Sequence, residues 1–215
     1  MLDTVKVNYQ YTNILYNVHK YLKTAQNHPI IAWDFETANK CTSKELELLK
    51  VRYELNPTRE LLQQIEADGL SHPSLSCITH LSVAWSPSDA VVIVCDTELI
   101  RRTVYNWLVT IDNTQLIHNS SFDLRHVIYH TGKLPKHFID TRLLAKSLIN
   151  NANNMESAVD LKGLMGHKYG DWALSDDTNF TLANIYDAKM IKYSAIDSCA
   201  TWALYEDINQ TYPPL

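Results

Sequence analysis

Asp34 and Glu36 close an apolar run, Ile30-Ile31-Ala32-Trp33-Asp34-Phe35, that reads as a β-strand. Alternate strand side chains share a face, so the two carboxylates point the same way while Trp33 and Phe35 point to the other. Adjacent carboxylates repel each other, and a bound divalent cation is the usual remedy. The pattern by itself is common, and Asp96-Thr97-Glu98 repeats it. There the acids suit the N-terminus of a helix, where the dipole favours them. An exposed strand end is the competing reading of Asp34 and Glu36.

Two further stretches carry polar chemistry. His118-Asn119-Ser120-Ser121-Phe122-Asp123 lies between an apolar strand and a helix, the place where α/β sheets commonly bind ligands. A plain helix cap, with Ser120 or Ser121 capping and Asp123 in the first turn, explains the same residues. Tyr193 and Asp197 are four apart in a helical stretch and so share one helix face. Asp is a poor interior helix residue, which suits either a ligand or a solvated face.

The elements that must position these residues follow from periodicity. Ile14, Leu15, Val18 and Leu22 predict an N-terminal helix over about 10–25. Strands are expected at Ile30-Ile31-Ala32-Trp33-Asp34-Phe35, 77–85 and 90–95, with Ser86-Pro87-Ser88-Asp89 as the turn of an antiparallel meander. A charged helical segment over about 43–67, broken near Pro57, is inserted between the first two of these strands. Asp96 or Thr97 can cap a helix carrying Leu99, Ile100, Val104, Trp107 and Leu108. Residues 114–119 form the next strand, followed by helices at about 122–130, at 141–149 and from about 188 to 209. The order predicts a single α/β domain over 1–215 with a mixed sheet.

Composition narrows the class. The 215 residues are 46% hydrophobic and 20% charged, with a formal charge of −5, which excludes wholesale disorder and duplex binding by bulk positive charge. Four dispersed cysteines form no Cys-x-x-Cys pair and suit a reducing compartment. The opening residues lack a basic start followed by an apolar run, and no stretch is apolar enough to span a membrane. A cytoplasmic chain is the expectation.

Taken together and in this order, Asp34-Phe35-Glu36, the Asn119 to Asp123 stretch and Tyr193-x-x-x-Asp197 resemble the DEDD superfamily of 3′→5′ exonucleases. Tyr193, four before the last Asp, matches the Tyr-bearing branch, which includes polymerase proofreading domains and ribonuclease D. Phe138-Ile139-Asp140-Thr141 and Leu161-Lys162-Gly163-Leu164 look most like the proofreading domains of phage and bacterial family A DNA polymerases.

That resemblance implies a ribonuclease H-like fold: a mixed five-stranded sheet, a three-strand meander plus parallel strands, flanked by helices. It implies two divalent ions, Mg2+ or Mn2+, held by Asp34, Glu36, Asp123 and Asp197, with Tyr193 orienting the attacking water. Thr37, Asn119 and Phe122 fall where the family contacts the terminal nucleotide. The apolar wedge that relatives place after Asp-x-Glu is replaced by Thr37-Ala38-Asn39-Lys40. The implied partner is a single-stranded DNA 3′ end, with RNA open, and a DNA polymerase on a separate chain. An RNA exonuclease of the ribonuclease D type and a non-catalytic partner-binding subunit are the alternatives. Trp33, Trp172 and Phe180 serve either as base-stacking rings or as core. The 43–67 insertion is expected to contact the strand or a polymerase, or to be a solvated decoration.

Overall fold

The computed structural model describes residues 4–39, 72–149, 159–172 and 184–211, with scattered positions between 48 and 61. The 43–67 insertion lies largely outside the described residues, and Phe180 and Lys40 lie wholly outside them.

Among the described residues, six strands form one mixed sheet: β1 (Asn8–Thr12), β2 (Ile30–Asn39), β3 (Ser76–Ala84), β4 (Asp89–Val94), β5 (Thr114–Ile117) and β6 (Phe138–Asp140). Their order across the sheet is β1-β4-β3-β2-β5-β6. β2, β3 and β4 are the expected antiparallel meander, while β5 runs parallel to β2 and β6 parallel to β5. The sixth strand, β1, joins the far edge parallel to β4, opposite Asp89 to Ile93. Its residues, Asn8-Tyr9-Gln10-Tyr11-Thr12, carry little apolar alternation, so the helix predicted from about residue 10 begins only at Leu15.

Among the described residues, six helices with defined bounds pack around the sheet: α1 (Leu15–Gln26), α2 (Glu98–Thr110), α3 (Ser121–Thr131), α4 (Thr141–Ile149), α5 (Leu161–Tyr169) and α6 (Ala188–Thr211). Thr97 caps α2 by accepting from the Ile100 amide at 3.3 Å. That element therefore claims the second Asp-x-Glu pair, as its helix-start reading requires. Asp160 caps α5 by accepting from the amides of Lys162 and Gly163. α3 stops where Gly132 adopts φ 68°, a left-handed conformation that costs glycine little.

Both sheet faces are covered. On one, Trp33, Phe35, Leu81 and Ile93 pack against Val18 and Leu22 of α1, Val104 and Leu108 of α2, and Leu124 and Val127 of α3. On the other, Val92 and Val94 pack against Met165 of α5 and Ile191, Cys199 and Ala203 of α6. This explains why every residue of β3 is buried. It also fixes the strand faces: Trp33 and Phe35 enter the first core, so Asp34 and Glu36 turn toward α6. Trp33 is fully buried, its Nε1 donating to Gln115 Oε1 at 2.8 Å, so it is core and not a stacking ring.

A register shift between Glu36 and Thr37 interrupts the β2–β3 ladder. Thr79 is the extra residue, and its hydroxyl donates to the Glu36 carbonyl at 3.1 Å. Such bulges bend a strand and re-aim its side chains, here at the last of the strand's two acids.

Candidate active site

Asp34 and Glu36 of β2 meet Asp197 of α6, with carboxylate oxygens that all lie within 4.8 Å of one another. The small residues on this side of α6 let it lie close to the strand. Ser194, one turn before Asp197, donates to Glu36 Oε1 at 3.4 Å. The fourth acid arrives from the other face. Asp123 is 2% exposed in the first turn of α3 and accepts the Phe35 amide at 3.1 Å. It is therefore no helix-capping decoration. The preceding serine does not cap either, since Ser120 Oγ donates to Asp140 Oδ2 at 2.8 Å.

Burial raises all four acids. Asp34 lies well above the usual carboxylate range through burial, then through repulsion from Asp123, Glu36 and Asp197. Glu36 is raised in the same way, first by burial and then by Asp197 and Asp123. Burial lifts Asp123 to about 8 and raises Asp197. Four acids that cannot ionise together comfortably, offering only hard oxygen ligands, fit Mg2+ or Mn2+ in donor chemistry. The acidic cluster suits such an ion by the charge it lacks.

Two residues that the motifs did not single out as site residues complete the cluster. Lys162, at the start of α5, donates from Nζ to the Tyr193 hydroxyl at 2.7 Å and lies 4.7 Å from the centre of its ring. Its charge pulls Asp34, Glu36 and Asp197 down, against the burial that raises them. Trp172, just beyond α5, is 8% exposed and donates from Nε1 to Asp197 Oδ1 at 2.6 Å. Its ring packs edge-on against Tyr169, so it holds a carboxylate and is not placed as a base-stacking ring. Tyr193 also hydrogen-bonds Asp197, and burial raises its phenol above the ordinary value. The result is a fixed chain: Lys162 to Tyr193 to Asp197, with Trp172 on the other side. In the sequence, Lys162 stands only within the Leu161-Lys162-Gly163-Leu164 run that carries the resemblance, and Trp172 only as a large ring.

Asn119 has φ 62°, a left-handed conformation unusual outside glycine. The loop holds it there: its amide and that of Ser120 donate to Asp140, while Arg142 Nη1 donates to its Oδ1 at 3.2 Å. Its carboxamide is exposed at the carboxyl end of β5, and Phe122 is half-buried beside Asp123. Thr37 follows Glu36 at the bulge, half-buried. His118 ties the loop down, contacting Thr141 Oγ1 through Nδ1 and donating from Nε2 to the Val159 carbonyl.

No family model matches the sequence, and no characterised protein matches it by sequence. Solved structures do match its shape. Escherichia coli RNase D, described as an exoribonuclease involved in structured RNA processing, superposes with a TM-score of 0.63 at 15% identity. The match covers 94% of this chain and 44% of that one, so the chain spans less than half of that protein. Brucella melitensis NrnC bound to pGG gives 0.57 at 14% identity, covering 96% of this chain and 81% of that one. The Aedes aegypti Nibbler EXO domain gives 0.60 at 11%, covering 97% and 91%. The chain has the fold of these proteins. The mixed sheet flanked by helices is thus the ribonuclease H-like arrangement, with β1 added at one edge. Among the described residues no helix is long and apolar enough to cross a membrane.

Proposed function

We propose that the protein is a metal-dependent 3′→5′ exonuclease of the DEDD superfamily, Tyr-bearing branch, acting on single-stranded nucleic acid. The observation that carries this reading is the meeting of Asp34, Glu36 and Asp197 within 4.8 Å, with Tyr193 bonded to the last of them. The structure of NrnC with bound Mg2+ lends support to the metal.

Asp34, Glu36 and Asp197 would hold one divalent ion, and Asp34 with Asp123 a second. When bound, the pair supplies an activated water and support for the leaving oxygen. The chain does the rest. Trp172 and Ser194 fix the carboxylates of Asp197 and Glu36, so that their lone pairs converge. Tyr193, held between Lys162 and Asp197, presents a fixed hydroxyl that orients the attacking water, its raised pKa making it no base. Asn119, Thr37 and Phe122 line the approach of the terminal nucleotide. Hydrolysis adds water across the last phosphodiester, leaving a 3′-hydroxyl on the shortened strand and releasing a nucleoside 5′-monophosphate.

DNA is the substrate that the resemblance to proofreading domains suggests, with a polymerase on another chain as the natural partner. RNA is the second reading, favoured by the likeness to RNase D. The deciding experiment uses 5′-labelled DNA and RNA of one sequence with Mg2+, Mn2+ or EDTA, beside Asp197→Ala. A ladder shortening from the 3′ end, abolished by EDTA and by the substitution, is expected. Absence of cleavage by folded wild-type protein would return the chain to a partner-binding role.

A further inference from the structure

We infer that the outer face of α3 is a binding track for the part of the strand that stays behind after cleavage, with Arg125 and Tyr129 as its contacts. The inference rests on the exonuclease reading.

Phe122, Arg125 and Tyr129 fall at helical spacing on one face of α3, while Leu124 and Val127 on the opposite side enter the core. Phe122 directly precedes the buried Asp123, Arg125 is exposed, and Tyr129 is 55% exposed. The stripe therefore starts at the acidic cluster and leads away from it by about 10 Å, seven residues of helical rise. A cation set between two aromatic rings is the chemistry that holds single-stranded nucleic acid: rings stack on bases and arginine meets phosphate.

The Tyr129 ring is held in place and is no loose surface side chain. His130 meets it edge-on at 5.1 Å and His72 at 6.3 Å, with interplanar angles of 81° and 71°. His72 is anchored in turn, its Nδ1 contacting Ser74 Oγ at 2.7 Å and accepting the Ser74 amide at 3.3 Å. Phe122 is braced likewise by the buried His126, ring centres 5.7 Å apart. A braced ring loses little freedom when a base stacks on it.

The direction of the track identifies its occupant. An exonuclease that releases mononucleotides has a single nucleotide beyond the scissile phosphate. A stripe leading about 10 Å from the carboxylates along α3 outruns that nucleotide and suits the retained strand. Its continuity with the cluster through Phe122 and Asp123 favours the substrate over any separate ligand.

The test compares kcat/KM on an eight-nucleotide strand and on the shortest strand that wild type cuts, for wild type, Tyr129→Ala, Tyr129→Phe and Arg125→Gln. Tyr129→Ala should lose about tenfold on the long strand, within the range of one lost base stack, and less than twofold on the short one. Tyr129→Phe keeps the ring and should match wild type. Arg125→Gln should lower the salt slope on the long strand by about 0.7, the loss of one phosphate contact. Equal losses on both lengths, or none on the long strand, would overturn the track while leaving the exonuclease reading intact. Failure of wild type to release any nucleotide from either strand would overturn the exonuclease reading itself.

Discussion

The indole of Trp172 donates to Oδ1 of Asp197 at 2.6 Å, leaving that carboxylate one bond from a tryptophan on one side and bonded to Tyr193 on the other. A carboxylate so held has its remaining lone pairs aimed before any ion arrives. Trp172→Phe keeps an aromatic ring beside Tyr169 while removing the donor and the rest of the indole. It should lower kcat by about 10- to 100-fold, the usual cost of losing a ligand's supporting bond. It should also raise the Mg2+ concentration at half-maximal rate. Titration of rate against Mg2+ checks both, and an unchanged titration curve would show that the bond is decorative.

Lys162 is the cation that lowers Asp34, Glu36 and Asp197 together. Replacing it with Met removes that charge, so the three acids hold their protons to higher pH. The acid limb of the pH–rate profile should shift upward in Lys162→Met and far less in Lys162→Arg. Superimposable profiles for Met and wild type would rule the lysine out of the site's electrostatics.

Metal-free protein should become less stable as pH rises. Folded Asp123 keeps its proton to about 8, whereas the unfolded residue releases it near 4. Between those values the folded state binds more protons, so this group's contribution to stability is fully present below the lower value and is lost toward the upper. Asp123→Asn cannot ionise and its Oδ1 can still accept the Phe35 amide. In EDTA it should melt above wild type at pH 8, with the gap narrowing at pH 5, although it should be inactive. Thermal melts at the two values decide, and a pH-independent gap would contradict the argument.

Gln115 is fully buried and bridges two layers, accepting from Trp33 Nε1 at 2.8 Å and donating to the Leu108 carbonyl at 2.8 Å. Gln115→Leu fits the volume but strands both partners without a bond. A loss of about 3 kcal/mol is expected, since each unpaired buried polar group costs roughly 1–3 kcal/mol. Urea unfolding measures it, and the activity of the folded fraction should not change.

Asp34 and Glu36 were legible in the sequence because strand alternation puts them on one face, and Asp197 because helical spacing pairs it with Tyr193. The meander was legible for the same reason, as were the cap at Thr97 and the helix at 141–149. Asp123 reads locally like a first-turn acid, and only the resemblance assigns it to the metal site; its bond to the Phe35 amide, from a distant strand, is seen in the structure alone. What escaped notice depends on long-range partners. Trp172 reads as any large ring until its donor is seen at Asp197. Strand β1 lacks the apolar alternation that marks the others because one edge and much of its surface face solvent, with only Thr12 buried. Its pairing is decided by β4, which no local pattern in residues 8–12 announces.

The order of these residues along the chain has a temporal meaning. Asp34, Glu36 and Asp123 precede Tyr193 and Asp197, which sit on α6, the last helix of the described residues. Proteins are synthesised from the N-terminus and their domains fold as units. A growing chain therefore carries three of its acids long before the helix that joins them, and its Lys162 has no Tyr193 to hold. Under the exonuclease reading, destructive chemistry switches on only when α6 docks across β2 and β3. The half-made enzyme is thereby harmless to the nucleic acids around it.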